Sequence, residues 1–215
     1  MRVREGASLF SRAWPAFGRL GERGPADGLK LMVIPGFLAT DRTTLGLQRA
    51  LAAAGYRVTG WGMGLNRGVT EATVDKIAEC VERFGAGEKV ILVGWSLGGI
   101  YARVLAQERP ELVAKVVTLG SPFHGDRRRN NNVWRLYEYV AGHPVNSPPI
   151  DKDPAMKPPV PTLAIWSRKD GIVSVAGARG TPDQRDAEVE LACSHMSYAV
   201  GAKAFPHIVA AIRSF

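Results

Sequence analysis

The stretch from Val90 to Gly99 reads VILVGWSLGG and contains the strongest structural signal in the chain. Its first four residues are apolar, and a helical pattern follows Ser96, so we expect a buried strand that turns directly into a helix. Gly94 and Gly98 each lie two positions from Ser96, which matches the pattern G-x-S-x-G. In that pattern the serine occupies a sharp strand-to-helix turn, and a side chain at either glycine would collide with the neighbouring strand or helix.

The position of Ser96 predicts a nucleophile. Ligand sites in open parallel sheets lie beyond the carboxyl ends of the strands, and the free N–H groups of the following helix favour negative charge there. The motif alone is weak, and a plain strand-to-helix turn is the alternative, but the strand and helix patterns on either side favour the nucleophile. A dinucleotide site is excluded, because the glycine-rich segment 60–68 does not fit G-x-G-x-x-G and no acidic residue follows the turn at Gly94–Gly99 at the expected distance.

Short apolar runs alternate with helical patterns along the rest of the chain. The predicted strands cover residues 29–34, 56–61, 89–94, 112–120, 161–167 and 186–193, and the predicted helices cover 42–54, 71–84, 97–108 and 198–214. Asp41 is a candidate N-cap of the first helix. This alternation predicts an α/β domain with a mostly parallel central sheet of about six strands and helices on both faces.

Two segments fall outside this alternation. Residues 121–160 are rich in proline, asparagine and arginine, and only 134–140 has a helical pattern. We interpret them as a cap inserted into a single domain over residues 29–215. Residues 1–28 contain apolar side chains among arginines. We expect an extension that packs on the domain, with a helix at a membrane interface as the alternative, although Pro15 interrupts its helical pattern.

Composition limits the possible functions. The chain has 215 residues, two cysteines and a net charge of +8. Cys80 and Cys193 form neither a disulfide framework nor a metal site, so we expect buried free thiols. The positive charge permits contact with an anionic membrane, but the basic residues are scattered and no nucleic-acid-binding motif is present. The N-terminal segment lacks the continuous apolar region of a signal peptide, which favours a cytoplasmic protein.

A serine nucleophile needs a base to take its proton. Of the four histidines, His195 directly follows the sixth predicted strand, where the carboxyl end of that strand would place it near Ser96. His207 lies within the last predicted helix, and His124 and His143 lie in the insertion. His195 is therefore the predicted base.

The base in turn needs an acid that orients it. Asp170 follows the fifth predicted strand and lies between Ser96 and His195 in the sequence. A turn aspartate before Gly171 is the structural alternative. Asp126, after the fourth strand, is the second candidate for the acid, whereas Asp183 and Asp186 lie in a predicted surface loop.

With these residues in place, the chain resembles an α/β-hydrolase of the lipase and esterase kind over residues 29–214. The resemblance rests on five segments: VIPGF (33–37), GWSLGG (94–99), GSPFHGD (120–126), SRKDGIV (167–173) and SHMSY (194–198). It implies an oxyanion hole formed by the N–H groups of Phe37 and Leu97, and it implies no metal or cofactor. A full sheet of the family has eight strands, so this chain resembles a compact core that lacks the first hairpin.

The resemblance implies a carboxylesterase or lipase that acts on a small ester or lipid through Ser96, His195 and Asp170. Acyl transfer to an alcohol, phospholipase or thioesterase activity would use the same triad, and a non-catalytic binding protein is a further alternative. Apolar side chains on strand-end loops are candidates for the acyl pocket: Trp61, Met63, Leu65, Trp95 and Phe123. Because prolines restrict the insertion, we expect a fixed cap and acyl chains of roughly four to eight carbons.

Overall fold

The computed structural model describes residues 28–70, 72–150 and 152–215. The predicted packing of the extension at 1–28 therefore falls almost wholly outside the described residues. Six parallel strands form one sheet in the order β2-β1-β3-β4-β5-β6. They are β1 (Lys30–Ile34), β2 (Arg57–Gly60), β3 (Val90–Trp95), β4 (Val113–Leu119), β5 (Thr162–Trp166) and β6 (Ala187–Glu190). The predicted α/β class with a parallel sheet of six strands is confirmed.

Helices cover both faces of this sheet. They are α1 (Leu45–Ala53), α2 (Thr73–Gly85), α3 (Leu97–Glu108), α4 (Trp134–Ala141), α5 (Val175–Arg179), α6 (Ser197–Val200) and α7 (Phe205–Ser214), with a short 3-10 turn at Pro182–Gln184. No helix of the described residues is long and apolar enough to cross a membrane.

The core follows from the two-residue period of the strands. In β1, Leu31 and Val33 pack in the cluster that contains α1 and α7. Met32 and Ile34, at the alternating positions, pack in the cluster that contains α2 and α3. Successive side chains of a strand point to opposite faces, so a strand covered on both faces must be apolar throughout.

The first and last helices differ from the prediction. The first was predicted over 42–54 and covers Leu45–Ala53. The predicted helix at 198–214 is divided into α6 and α7, because Gly201 adopts an extended conformation and Pro206 stands in the first turn of α7, where no intrahelical N–H is needed. The prediction that Asp41 caps α1 is wrong. Its carboxylate instead accepts hydrogen bonds from the N–H groups of Trp61 and Gly62, at 2.9 and 3.0 Å, and so holds the loop after β2.

The insertion is attached to the sheet by a buried arginine. Arg103 on α3 is fully buried, and its guanidinium lies 4.1 Å from the ring centroid of Phe123. Burial lowers its pKa to about 10. The guanidinium donates to four backbone carbonyl oxygens, those of Pro154, Ala155, Met156 and Gln184. The bonds to Pro154, Ala155 and Met156 tie the C-terminal part of the insertion to α3, and the bond to Gln184 ties the turn before β6 to the same helix.

The turn between β3 and α3 permits no side chain at Gly94. A Cβ atom there would lie 2.3 Å from the carbonyl oxygen of Gly98 and 2.4 Å from the Cα atom of Gly99. We predict that Gly94→Ala lowers the free energy of unfolding by at least about 2 kcal/mol, because buried backbone must move to admit the methyl group. Urea denaturation of the purified variant measures this loss.

Gly171→Ala is the matched control. A Cβ atom at Gly171 would meet no atom within 4 Å, so the same substitution there is expected to leave stability nearly unchanged. Equal unfolding midpoints for the two variants would contradict the steric account of the turn.

Candidate active site

Ser96 occupies the sharp turn that the sequence predicted. It separates β3 from α3 and has φ 54° and ψ −119°, in the left-handed region that side chains other than glycine rarely adopt. Such a conformation costs on the order of 1–3 kcal/mol and persists only where the surrounding structure holds it. Here the Ser96 N–H donates to the carbonyl of Leu119, at 2.9 Å, which ties the turn to the end of β4. The half-buried serine thus lies beyond the carboxyl ends of the central strands.

Asp170 and His195 form a buried pair. Asp170 Oδ2 lies 2.7 Å from His195 Nδ1, and the side chains are only 1% and 4% exposed. The second carboxylate oxygen accepts hydrogen bonds from the N–H groups of Ile172 and Val173, each at 2.9 Å. Because both oxygens have fixed partners, the carboxylate orients the imidazole and leaves Nε2 as the ring nitrogen without a bond to Asp170.

Neighbouring groups hold this pair in place. The indole Nε1 of Trp95, next to Ser96 in the chain, donates to the His195 carbonyl at 3.2 Å. Tyr198 meets the imidazole edge-on, with ring centroids 6.2 Å apart. Gly120, at the end of β4, has φ 56°, and a Cβ atom there would lie 2.9 Å from Asp170 Oδ2 and 3.2 Å from His195 Nδ1. A glycine is therefore required beneath the pair.

Two further groups beside the pair stay neutral at neutral pH. Burial raises the pKa of the Cys193 thiol to about 11 and also raises the pKa of the Tyr198 hydroxyl. Neither group therefore places a second negative charge beside Asp170. Cys193 and Cys80 are free thiols as predicted, but each is only half-buried.

The other predicted acids and bases lie elsewhere. Asp126 is exposed, accepts a hydrogen bond from Asn146 and pairs with Arg129. His143 Nε2 lies 3.1 Å from the carbonyl oxygen of Val69, and His207 is exposed on α7. The structure therefore pairs His195 with Asp170 and not with Asp126.

The loop that contains Phe37 passes directly beside Ser96. A Cβ atom at Gly36 would lie 3.2 Å from Ser96 Cβ, so the two backbones approach as closely as a glycine allows. Among the hydrogen bonds of the described residues, none is donated by the N–H of Phe37 or of Leu97. These are the two donors that the resemblance implies for an oxyanion hole.

Asn66 holds this loop, and the sequence analysis missed it. The side chain is buried and donates to the Pro35 carbonyl at 2.9 Å, while its oxygen accepts from Tyr101 Oη at 3.0 Å. Its backbone carbonyl accepts from the N–H of Leu38 at 2.7 Å. The glycine-rich segment around Asn66 was visible in the sequence, but the long-range partners were not.

A cavity of about 40 Å³ opens at Ser96. Its lining includes Phe37, Leu97 and Ile100 from the domain. It also includes four residues of the insertion, which are Arg127, Asn131, Tyr137 and Val145. Burial raises the pKa of Tyr137 to about 12, so its hydroxyl is neutral at neutral pH. A buried water needs about 10–15 Å³, so the cavity has room for at least one water molecule.

The lining of this cavity contains none of the five predicted acyl-pocket residues, and this expectation is corrected. Trp61 and Trp95 are buried in the two cores, because strand ends that meet helices on both faces enclose large aromatic side chains. Phe123 packs beneath Arg103, Met63 packs against the core on the α2 side, and Leu65 is exposed. The insertion supplies most of the lining instead.

Among the described residues, no group of three or more His, Cys, Asp or Glu side chains could hold a metal ion.

Solved structures with the same fold include enzymes with different substrates. A thioesterase domain from the curacin biosynthetic pathway is 15% identical with a TM-score of 0.62, and the match covers 87% of this chain and 92% of that one. A pyrethroid hydrolase is 21% identical with a TM-score of 0.60, covering 87% and 96%. A lipase-esterase related protein from Clostridium acetobutylicum is 17% identical with a TM-score of 0.61, covering 90% and 96%.

At these identities the likeness establishes the fold alone. The family model for the alpha/beta hydrolase fold matches residues 31–149, which include β1, the turn at Ser96 and most of the insertion. The chain therefore belongs to the alpha/beta hydrolase fold family, in agreement with the resemblance to lipases and esterases.

Proposed function

We propose that this protein is a serine hydrolase that cleaves carboxylic ester bonds through an acyl-enzyme. The observation that carries the proposal is the buried hydrogen bond between Asp170 and His195, with the second Asp170 oxygen held by two backbone N–H groups. A carboxylate placed in this way selects the imidazole tautomer that accepts a proton at Nε2. The strained Ser96 lies at the same edge of the sheet and supplies the nucleophile.

In the first half of the reaction, His195 Nε2 takes the proton of Ser96 Oγ as that oxygen attacks the ester carbonyl. Asp170 stabilises the imidazolium that forms. The carbonyl oxygen gains negative charge and accepts hydrogen bonds from the N–H groups of Phe37 and Leu97, each worth roughly 3–4 kcal/mol in the transition state. His195 then gives its proton to the departing alcohol, and the acyl group stays on Ser96.

In the second half, a water molecule attacks the acyl-enzyme. His195 takes a proton from the water and returns it to Ser96 Oγ, which releases the carboxylic acid and restores the enzyme. No redox or metal chemistry is required for either half. Thioesterase, phospholipase and acyltransferase reactions use the same steps with another leaving group or acceptor, and product analysis separates them.

The cavity favours a short acyl group. Its volume of about 40 Å³ is well below the roughly 300–1,000 Å³ typical of pockets for larger ligands. Arg103 ties residues 154–156 of the insertion to α3, which supports a fixed cap. The sequence predicted acyl chains of roughly four to eight carbons. We therefore expect shorter chains, of about two to four carbons.

The first test concerns Ser96. We predict that Ser96→Ala folds normally and lowers kcat for 4-nitrophenyl acetate by roughly 10⁴–10⁶, because the nucleophile is lost. A fluorophosphonate should label the wild-type protein at Ser96, as mass spectrometry of the peptides would report. Ser194→Ala, at an exposed serine near His195, is the matched control and should retain full activity. Hydrolysis by Ser96→Ala at the control rate, or labelling at another residue, would point to a non-catalytic protein or a different nucleophile.

The second test concerns the acid. Asp170→Asn is expected to lower kcat by on the order of 10⁴, because an amide N–H facing His195 Nδ1 favours the wrong tautomer. Asp126→Asn should leave kcat unchanged, since within the described part of the chain the exposed Asp126 carboxylate contacts groups of the insertion alone. Steady-state kinetics on both variants measure the difference. If Asp126→Asn were the damaging change, the acid would belong to the segment after β4.

The third test concerns acyl length. Across 4-nitrophenyl esters of two to sixteen carbons, kcat/KM should peak at two to four carbons and fall at least tenfold by eight, without a rise when substrate forms an emulsion. Val145→Ala removes two methyl groups from the cavity wall and should shift the optimum to longer chains, whereas Val200→Ala at an exposed position should not. Best activity on long-chain esters with a jump at the solubility limit would indicate a mobile lid instead.

A further inference from the structure

An arginine from the insertion lies in the wall of the cavity at Ser96. Arg127 lines this cavity and also lines a cleft of about 540 Å³ on the outer side of the insertion. Its side chain is only 14% exposed. Its backbone N–H donates to Asn146 Oδ1 at 2.9 Å, which holds the residue in position. The reaction proposed above gives this charge no role.

The guanidinium of Arg127 has few partners within the described residues. Its Nε atom is buried without a hydrogen-bond acceptor. One Nη atom reaches the Val145 carbonyl at 3.5 Å, and the other lies 3.8 Å from an oxygen of Asp153, which is 59% exposed. Both contacts are at the outer limit for such interactions, and an exposed carboxylate compensates a buried cation weakly.

Arg103 provides the contrast. Its guanidinium is more deeply buried, and one Nη atom also lacks a partner among the described residues. Its other two nitrogen atoms donate to four backbone carbonyl oxygens, however, and the group lies over the ring of Phe123. A buried cation without such partners is costly, and an anion that reaches it would recover that cost. The neighbouring arginines are already paired, Arg128 with Glu138 and Arg129 with Asp126. Within the described residues, Arg127 is thus the arginine of this cluster that lines the cavity and has a donor without an acceptor.

From this geometry we infer that Arg127 is a specificity-determining residue that binds a carboxylate carried by the ester substrate. A planar carboxylate matches the two parallel N–H bonds that a guanidinium offers, and it is small enough for a narrow cavity. Asn131 lines the same cavity and adds a polar side chain beside Arg127. The inference rests on the proposed function, because the carboxylate must lie on the ester that Ser96 attacks. It narrows the substrate class to anionic esters with a short acyl group.

The test compares matched pairs of substrates. Monoethyl succinate against ethyl butyrate places the carboxylate on the acyl side, and 4-acetoxybenzoate against 4-acetylphenyl acetate places it on the alcohol side. For each pair the measurement is the ratio of kcat/KM for the anionic ester to kcat/KM for the neutral ester. We expect the wild-type ratio to exceed one for at least one pair and to fall about tenfold or more in Arg127→Gln, as expected for the loss of a charge-assisted hydrogen bond.

Two variants serve as comparisons. Arg127→Lys keeps the charge but not the paired donors, so it should restore the ratio only in part. Arg129→Gln removes a neighbouring charge that is 88% exposed and should leave the ratio at the wild-type value. Equal ratios in wild type and Arg127→Gln for both pairs, or an equal fall in Arg129→Gln, would overturn the inference.

A binding measurement separates this inference from the proposed function and does not depend on catalysis. Calorimetric titration of succinate and of succinamide into the Ser96→Ala protein should show succinate binding at least tenfold more tightly, and Arg127→Gln in the same background should remove the difference. Equal affinities would refute the carboxylate site even if Ser96 proves to be the nucleophile. Normal activity of Ser96→Ala would refute the proposed function and leave the succinate measurement to decide the role of Arg127.

Discussion

The close approach of three backbone segments at Ser96 is the constraint on which the site depends. Gly94, at the end of β3, packs against the backbone of Gly98 and Gly99, and a Cβ atom at Gly98 would lie 2.2 Å from the Ile34 carbonyl oxygen at the end of β1. With no side chains between them, the strand ends and the start of α3 hold the serine at φ 54°. The rigid cores on both faces of the sheet maintain this conformation against its intrinsic cost.

The same packing gives the polar groups of the site their arrangement. Asp170 and His195 are buried together, and each oxygen of the carboxylate has a partner, so burial strengthens their interaction without leaving an uncompensated charge. Asn66 holds the loop that contains Phe37 through a buried hydrogen bond to the Pro35 carbonyl. Arg127 differs from these residues, because it lines a cavity and its guanidinium makes only long contacts, to Val145 and Asp153, among the described residues. The site thus combines a preorganised Asp170–His195 pair with the weakly compensated charge of Arg127 on the side contributed by the insertion.

The sheet and the insertion contribute different parts of the site. Ser96, Asp170 and His195 all follow strands of the sheet. The insertion supplies most of the cavity wall, including Tyr137, Val145 and Arg127, and it is tied to α3 through Arg103. Changes within the insertion can therefore alter which molecules fit the cavity while Ser96, Asp170 and His195 stay in place.

The local sequence was sufficient to predict the succession of strands and helices along the chain and the turn at Ser96, because apolar periodicity and glycine spacing are short-range signals. It was also sufficient to select His195 and Asp170 as partners, since each directly follows a predicted strand. Other features depended on contacts between distant segments. Asp41 has the sequence position of a helix cap but instead binds the loop after β2, 20 residues away. Trp61 and Trp95 appeared suited to a pocket, but the sheet and helices enclose them in the core. The cavity wall comes from the insertion, whose polar, proline-rich sequence has no period from which its side-chain directions can be read, so only the tertiary structure decided which residues face Ser96.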